Sequence, residues 1–346
     1  MNGLLSHRVH EMTDRLWLRL SNQSIFITGG TGLFGSWLME SMCGANRRLG
    51  TNIKATILTR NIRKTLSRTN RIYHDSAISF VQGDVSDFEF PDSKFSRIIH
   101  MATTSAKETF DGADQLEKLR MLINGTERVL QFAVKCEVEK FLFTSSGVVY
   151  GDCSAGLPGV PETYKGAPET TDVLSGLAEG KRVAEYLCSY YADKFQYAYT
   201  ITRCFSFVGP GLPLNLHYAI GNFIGQALEG KTLRIMGDGT AVRSYLYRDD
   251  FIAWLLTLLL DGKHGRVYNV GSDLGISIRD LACLIRDLLN PGLDVHVRNF
   301  DNRGVGNVFR SRYVPDIARA RHELSLDVWT PLEVAIVKTA DACRIE

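Results

Sequence analysis

The sequence predicts an α/β fold: a doubly wound parallel sheet with a smaller, interleaved C-terminal lobe. Three observations point there. Apolar runs of strand length alternate with helical patterns through residues 24–203. These runs are continuously apolar rather than alternating, as strands covered on both faces require. A glycine-rich turn, Gly29-Gly30-Thr31-Gly32-Leu33-Phe34-Gly35, separates the first run from the first helical pattern.

Taken in order, residues 1–22 read as an amphipathic helical extension, with Leu5, Val9, Met12 and Leu16 at helical spacing. His7, Arg8, His10, Glu11, Asp14 and Arg15 interrupt the apolar stretch that a signal peptide needs. Strands are predicted at 24–28, 54–59, 78–82, 97–100, 140–144 and 198–203, and helices at 35–43, 116–136 and 178–195. From about Phe207 the pattern turns irregular, with Gly- and Pro-containing loops and helices at 220–229, 250–260 and 278–289. The expected organisation is a helical extension over 1–22, a nucleotide-binding domain over 23–206 and a substrate lobe over 207–346, interleaved with it.

The chain has 346 residues, 45% hydrophobic and 23% charged, with a net charge of +2, which suits a globular protein with a large core. So small a net charge offers no field for nucleic acid or a membrane surface, and the basic tract from Arg60 to Arg68 reads as a solvated loop. No apolar run nears the roughly 20 residues of a bilayer span. Leu255–Leu260 is short and flanked by Asp249, Asp250 and Asp261, the first two of which read as caps of the following helix. The seven cysteines are scattered, without CxxC or Cys/His spacing. They imply no metal site, and reduced thiols in a cytoplasm.

Glycines 29, 32 and 35 have the spacing G-x-x-G-x-x-G between a strand and a helix. Gly29 permits a tight turn, Gly32 a close approach of backbone to a pyrophosphate, and Gly35 close packing of helix on sheet, while the helix N-terminus offers free N–H groups. A dinucleotide site therefore includes Gly29, Gly32, Leu33, Phe34 and Gly35. Arg60, at the tip of the second strand, favours the 2′-phosphate of NADP, or else stacks on the adenine of NAD. Asp84 and Val85 end the third strand on the adenine side, and Ala102 follows the fourth, where a small residue lets a cofactor cross the sheet edge.

With these pieces in place the chain resembles an extended short-chain dehydrogenase/reductase of the NAD(P)-dependent nucleotide-sugar epimerase/dehydratase group, which has a Rossmann fold. The matching segments are T-G-G-T-G-L-F-G at 28–35, G-D-V at 83–85, H-M-A at 100–102, N-G-T at 124–126, T-S-S-G-V-V-Y-G at 144–151 and L-A-E-G-K-R at 177–182. R-C-F-S-F-V-G-P at 203–210, G-D-G-T-A-V-R-S-Y-L-Y-R-D-D at 237–250 and Y-N-V-G-S at 268–272 continue it. The resemblance implies that Lys181 holds the nicotinamide ribose, Ser146 the sugar oxygen being oxidised, and Asn124 positions the lysine. It also implies a 4-keto sugar intermediate, with the proton carried by a tyrosine four residues before the lysine. Here that position is Leu177, which has no proton to give. Three readings follow: another group acts, with Tyr164 preferred over Glu169 and Glu179; the protein binds without turnover; or the leucine is a substitution made to trap a substrate.

The dehydratase branch carries an Asp-Glu pair where this chain has Gly147 and Val148, so epimerisation or C4 oxidoreduction is expected over 4,6-dehydration. Arg243 matches the arginine that grips the substrate diphosphate, and Arg312 is a second clamp. Asn215, His217 and Asn222 are candidate phosphate or sugar contacts, and Tyr150 lies by the nicotinamide or in the core. A homodimer is implied through the helices at 116–136 and 178–195, with Leu187, Tyr190 and Tyr191 at the seam. A small-molecule carbonyl reductase and a non-catalytic NAD(P)- or nucleotide-sugar-binding protein are the rival readings. The setting such enzymes imply is polysaccharide or glycosylated natural-product synthesis.

Overall fold

A computed structural model describes residues 2–67, 71–103, 114–153, 156–216, 218–298 and 311–345. The chain starts with helix α1 (Asn2–Leu18) and then builds β1 (Ser24–Thr28), α2 (Leu33–Leu49), β2 (Lys54–Thr59), α3 (Ile62–Leu66), β3 (Ile78–Gln82) and β4 (Arg97–His100). Next come α4 (Gln115–Cys136), β5 (Lys140–Ser146), α5 (Gly176–Phe195) and β6 (Ala198–Cys204). The six strands stand where the apolar runs place them, with β5 and β6 continuing to Ser146 and Cys204. Helix α2 is longer than its predicted span of 35–43 because Gly44 is accommodated inside it, and it stops at Gly50, whose φ of 66° ends the last turn.

The remainder contributes β7 (Phe207–Val208), α6 (Ala219–Leu228), β8 (Leu233–Met236), β9 (Val242–Arg243), β10 (Leu246–Tyr247) and α7 (Arg248–Asp261). After these lie β11 (Arg266–Val270), β12 (Ile276–Ser277), α8 (Ile278–Leu289), β13 (Val295–Arg298), β14 (Arg312–Tyr313), α9 (Ala318–Leu324) and α10 (Leu332–Ile345).

The main sheet has seven parallel strands in the order β11-β6-β5-β4-β1-β2-β3. The chain winds outward from β1 to β3, then returns to β4 on the other side of β1 and winds the opposite way. That reversal opens a crevice at the carboxyl ends of β1 and β4. Along β1, Ile25 and Ile27 face a core formed with α2 and α7, whereas Phe26 faces a second core with Phe132 and Phe143. Both faces are covered, which is why the run reads as unbroken hydrophobicity.

The seventh strand escaped the sequence pattern. β11 contains Asn269, fully buried, whose Nδ2 donates to Val160 O at 2.7 Å and Asp316 O at 2.9 Å. A polar residue with its hydrogen bonds satisfied can occupy a core strand. Asp250 departs from expectation too. Helix α7 begins at Arg248, and Asp250 accepts from Trp329 N at 3.0 Å, Thr330 N at 2.8 Å and Thr330 Oγ1 at 2.7 Å, so it anchors a distant turn instead of capping its own helix. Burial pushes its pKa up to about 6. Asp249 pairs with its neighbour Arg248 at 3.1 Å. The short apolar run before Asp261 is buried core, and no helix among the described residues is long and apolar enough to cross a membrane.

Candidate active site

The glycine turn presses against the end of β4. Gly29 has φ +71°, and a Cβ there would lie 2.6 Å from the Met101 carbonyl carbon and 2.7 Å from Ala102 N. A Cβ on Gly35 would lie 2.4 Å from Gly30 Cα, so only glycine lets α2 sit this close to the turn. Gly32 caps α2 without a side-chain hydrogen bond, and a Cβ there would meet only Gly29 O, at 3.3 Å. The first N–H groups of α2 thus lack a side-chain cap beside open space, which suits a pyrophosphate. Phe34 turns its ring inward onto Phe207 and Phe251, with centroids at 4.8 and 4.5 Å, leaving backbone as what it can offer a ligand. Leu33 is half-buried on the first turn of α2.

Arg60 is exposed just past β2. Asp84 Oδ1 accepts from Ser86 N at 3.1 Å and from its hydroxyl at 2.5 Å, and Val85 packs on Gly125 of α4. Ala102 N donates to Thr28 Oγ1 at 3.2 Å.

Ser146 closes β5, and its hydroxyl accepts from Val148 N at 3.3 Å. Lys181 on α5 is 4% exposed, donates from Nζ to Thr144 O at 2.7 Å and lies 4.8 Å above the Phe143 ring. Burial brings its pKa down to about 8. Leu177 is half-buried one turn earlier on the same face, so the position facing the lysine is hydrocarbon. Below them Glu185 takes a bond from Ser145 Oγ at 2.5 Å and a bidentate pair from Arg203 at 3.0 and 2.6 Å.

Asn124 does not reach this cluster. It is exposed on α4, while Leu122, two positions earlier, is buried against Gly180 of α5. At 100° per residue the asparagine lies on a different side of α4 from that contact. Tyr164 donates to Asp152 O at 3.3 Å, and no hydrogen bond among the described residues joins it to Ser146 or Lys181. Glu169 accepts from Thr171, and Glu179 faces Arg182 at 3.9 Å. Tyr150 is a core tyrosine, 1% exposed, donating to Asn269 Oδ1 at 2.7 Å beneath Arg203. Burial raises its pKa to about 12.

The second lobe meets this edge through a three-stranded sheet, β12-β9-β14. Its register sets Tyr313 beside Arg243 and Arg312 beside Val242. Arg243 is half-buried, with Nη1 on Val242 O at 2.8 Å, and Arg312 Nε donates to Pro158 O at 2.7 Å. Tyr313 Oη lies 3.5 Å from Ser146 Oγ and 3.4 Å from Cys204 O, and its ring stands 4.6 Å from that of Phe205. No local sequence pattern marks this tyrosine. It lies 167 positions from Ser146 and belongs to a strand too short for any periodicity, and Gly147 was the one available sign of space beside the serine. Asn215 is exposed, Asn222 is half-buried on the first turn of α6, and His217 lies outside the described residues.

This geometry can be set against known proteins. The NAD dependent epimerase/dehydratase family matches residues 25–271. The chain belongs to this family. Among relatives, UDP-glucuronic acid decarboxylase 6 of Arabidopsis thaliana is 28% identical over 90% of this chain and 85% of its own length. The dTDP-glucose 4,6-dehydratase of Streptomyces antibioticus is 26% identical over 93% of this chain and 92% of its own. The fold is that of a UDP-glucuronic acid 4-epimerase from Bacillus cereus, solved with UDP-glucuronic acid and NAD: TM-score 0.77, 22% identity, 93% of this chain and 100% of that one. As a family member the chain has the extended short-chain dehydrogenase/reductase architecture of NAD-dependent epimerases and dehydratases. The reactions of its relatives include decarboxylation, dehydration and epimerisation.

Proposed function

We propose that this protein is an NAD(P)-dependent nucleotide-sugar enzyme working through a 4-keto sugar, as an epimerase or C4 oxidoreductase rather than a 4,6-dehydratase. The observation that carries this reading is one continuous edge. The open glycine turn, Ser146 with Lys181, and the arginine-bearing sheet all converge on the carboxyl ends of β1, β4 and β5. In this reading the α2 N-terminus, with Gly29, Gly32, Leu33, Phe34 and Gly35, holds the pyrophosphate; Asp84, Val85 and Ala102 flank adenosine and nicotinamide; and Lys181 holds the ribose. The exposed guanidinium of Arg60 favours NADP. A bound nicotinamide supplies the hydride acceptor and donor.

Ser146 holds the sugar oxygen, Arg243 and Arg312 clamp the diphosphate, and Asn215 and Asn222 line the approach. The site offers no carboxylate in place of Gly147, where a Cβ would already come within 2.8 Å of the Phe205 ring and of Tyr313 Oη. Acid/base removal of water across C5 and C6 is therefore disfavoured. Seven free cysteines fit a reducing cytoplasm. Tyr186 and Tyr190, 64% and 47% exposed with ring centroids 6.3 Å apart, form an outward aromatic pair on α5 suited to a homodimer seam.

Leu177 favours a second reading, a protein that binds without turnover. Incubation with UDP-, dTDP-, CDP- and GDP-sugars plus NAD or NADP separates them, read by nicotinamide absorbance and product mass beside a Leu177→Tyr variant. Turnover by the parent is the expected result. Activity only in the tyrosine variant would mean that the parent lacks a proton carrier, and binding with inactivity in both would establish the second reading.

A further inference from the structure

We propose that Tyr313 is the catalytic proton donor of this site, supplying from the second lobe the hydroxyl that Leu177 lacks. The inference rests on the nucleotide-sugar reading above. Four observations converge on it. Tyr313 Oη is 3.5 Å from Ser146 Oγ, within hydrogen-bond reach of the group that holds the sugar oxygen. Its ring is fixed by Phe205 at 4.6 Å, so the phenol is pre-positioned. A Cβ at position 147 would lie 2.8 Å from Tyr313 Oη, so the absent side chain of Gly147 is what lets the phenol reach the serine. Finally, strand register places Tyr313 beside Arg243 on one face of the small sheet, so a substrate diphosphate gripped by Arg243 has its sugar directed toward this hydroxyl.

Tyr313 Oη donates to Cys204 O at 3.4 Å, and a carbonyl can only accept, so the resting phenol is held protonated. It is poised as an acid. When a 4-keto sugar is reduced, the phenol O–H bond breaks and its proton goes to the ketone oxygen. The ketone carbon receives a hydride, with its electron pair, from the reduced nicotinamide of the proposed reaction, and solvent reprotonates Tyr313. The reverse step needs the ionised phenol, which takes the proton from the sugar hydroxyl as the C4 hydride passes to the oxidised nicotinamide. Among the described residues Tyr313 is the tyrosine within hydrogen-bond reach of Ser146, whereas Tyr164 donates to Asp152 O and Tyr150 to Asn269 in the core.

The test uses the full-length protein and Tyr313→Phe, which keeps the ring packing on Phe205 and so the fold. Gly147→Ala is the second variant, pushing the phenol away while leaving its hydroxyl present. Substrates are a 4-keto-6-deoxy dTDP-sugar with reduced NAD or NADP, and the parent nucleotide sugars with the oxidised forms. Tyr313→Phe should lower kcat by a hundredfold or more while moving the nucleotide-sugar Kd, measured by calorimetry, less than threefold. Gly147→Ala should lower kcat at least tenfold. Independently of turnover, binding of the nucleotide sugar should give a tyrosine ultraviolet difference signal that Tyr313→Phe removes and Tyr164→Phe retains. An active parent with an equally active Tyr313→Phe variant overturns the assignment and leaves the nucleotide-sugar reading standing. A parent that binds nucleotide sugars yet converts none of them overturns both.

Discussion

At the scale of single residues, Lys181 decides how the site titrates. Its folded pKa of about 8 lies below the ordinary 10.5, because burial disfavours its charge. Between these values the unfolded chain binds the extra proton, so unfolding free energy rises with pH through that window. Below pH 8 the buried charge lowers stability by on the order of 3 kcal/mol. Urea titrations at pH 7 and pH 10 should therefore show the parent gaining stability relative to Lys181→Met as pH rises. A constant difference between the two proteins would show that the lysine titrates normally. Legibility at this scale followed contiguity. Ser146 and Lys181 lie in uninterrupted segments whose strand and helix could be placed, so their meeting at one sheet edge could be anticipated. Asn124 sits in a matching tripeptide and is exposed on α4. Tyr313 depended on a strand register that no local pattern encodes.

Among the elements, the glycine turn and α2 make the sharpest demand on sequence. A methyl group at position 35 would overlap Gly30 at 2.4 Å against backbone that cannot swing aside. Gly35→Ala should push α2 off the turn, lowering stability by about 2 kcal/mol or more and weakening dinucleotide binding at least tenfold. Thermal unfolding and cofactor titration would read the two effects, and a variant with unchanged cofactor affinity would remove this turn from the site. Long central elements were legible because burial on both faces writes an unbroken apolar run. The two-residue strands β7, β9, β10, β12 and β14 were not legible, being defined by their partners rather than by their composition. β11 hid behind Asn269, whose amide is acceptable in the sheet only because Val160 and Asp316 receive its protons.

For the whole molecule, the α4–α5 face is where the proposed homodimer would form. Ala184, Cys188 and Ala192 point into the core and Tyr191 bonds to Glu127 at 3.1 Å. Leu187 and Tyr191 pack partly against that core, leaving Tyr186 and Tyr190 as the outward pair. Tyr186→Glu combined with Tyr190→Glu should turn a sedimenting dimer into a monomer without changing the far-ultraviolet spectrum. A parent that already sediments as a monomer would dismiss the seam. The interleaving of the lobes has a different consequence, for engineering. β11 returns from the second lobe to pair with β6, and the Val160–Pro315 bridge ties β14's outgoing segment to the loop after β5. The proposed substrate lobe is hence no detachable cassette. Grafting a relative's second lobe at residue 207 would strip a strand from the recipient's sheet and import one cut to another neighbour. If the proposed nucleotide-sugar reading holds, new preferences would have to be introduced one side chain at a time, around Arg243, Arg312 and Tyr313, within a scaffold that stays whole.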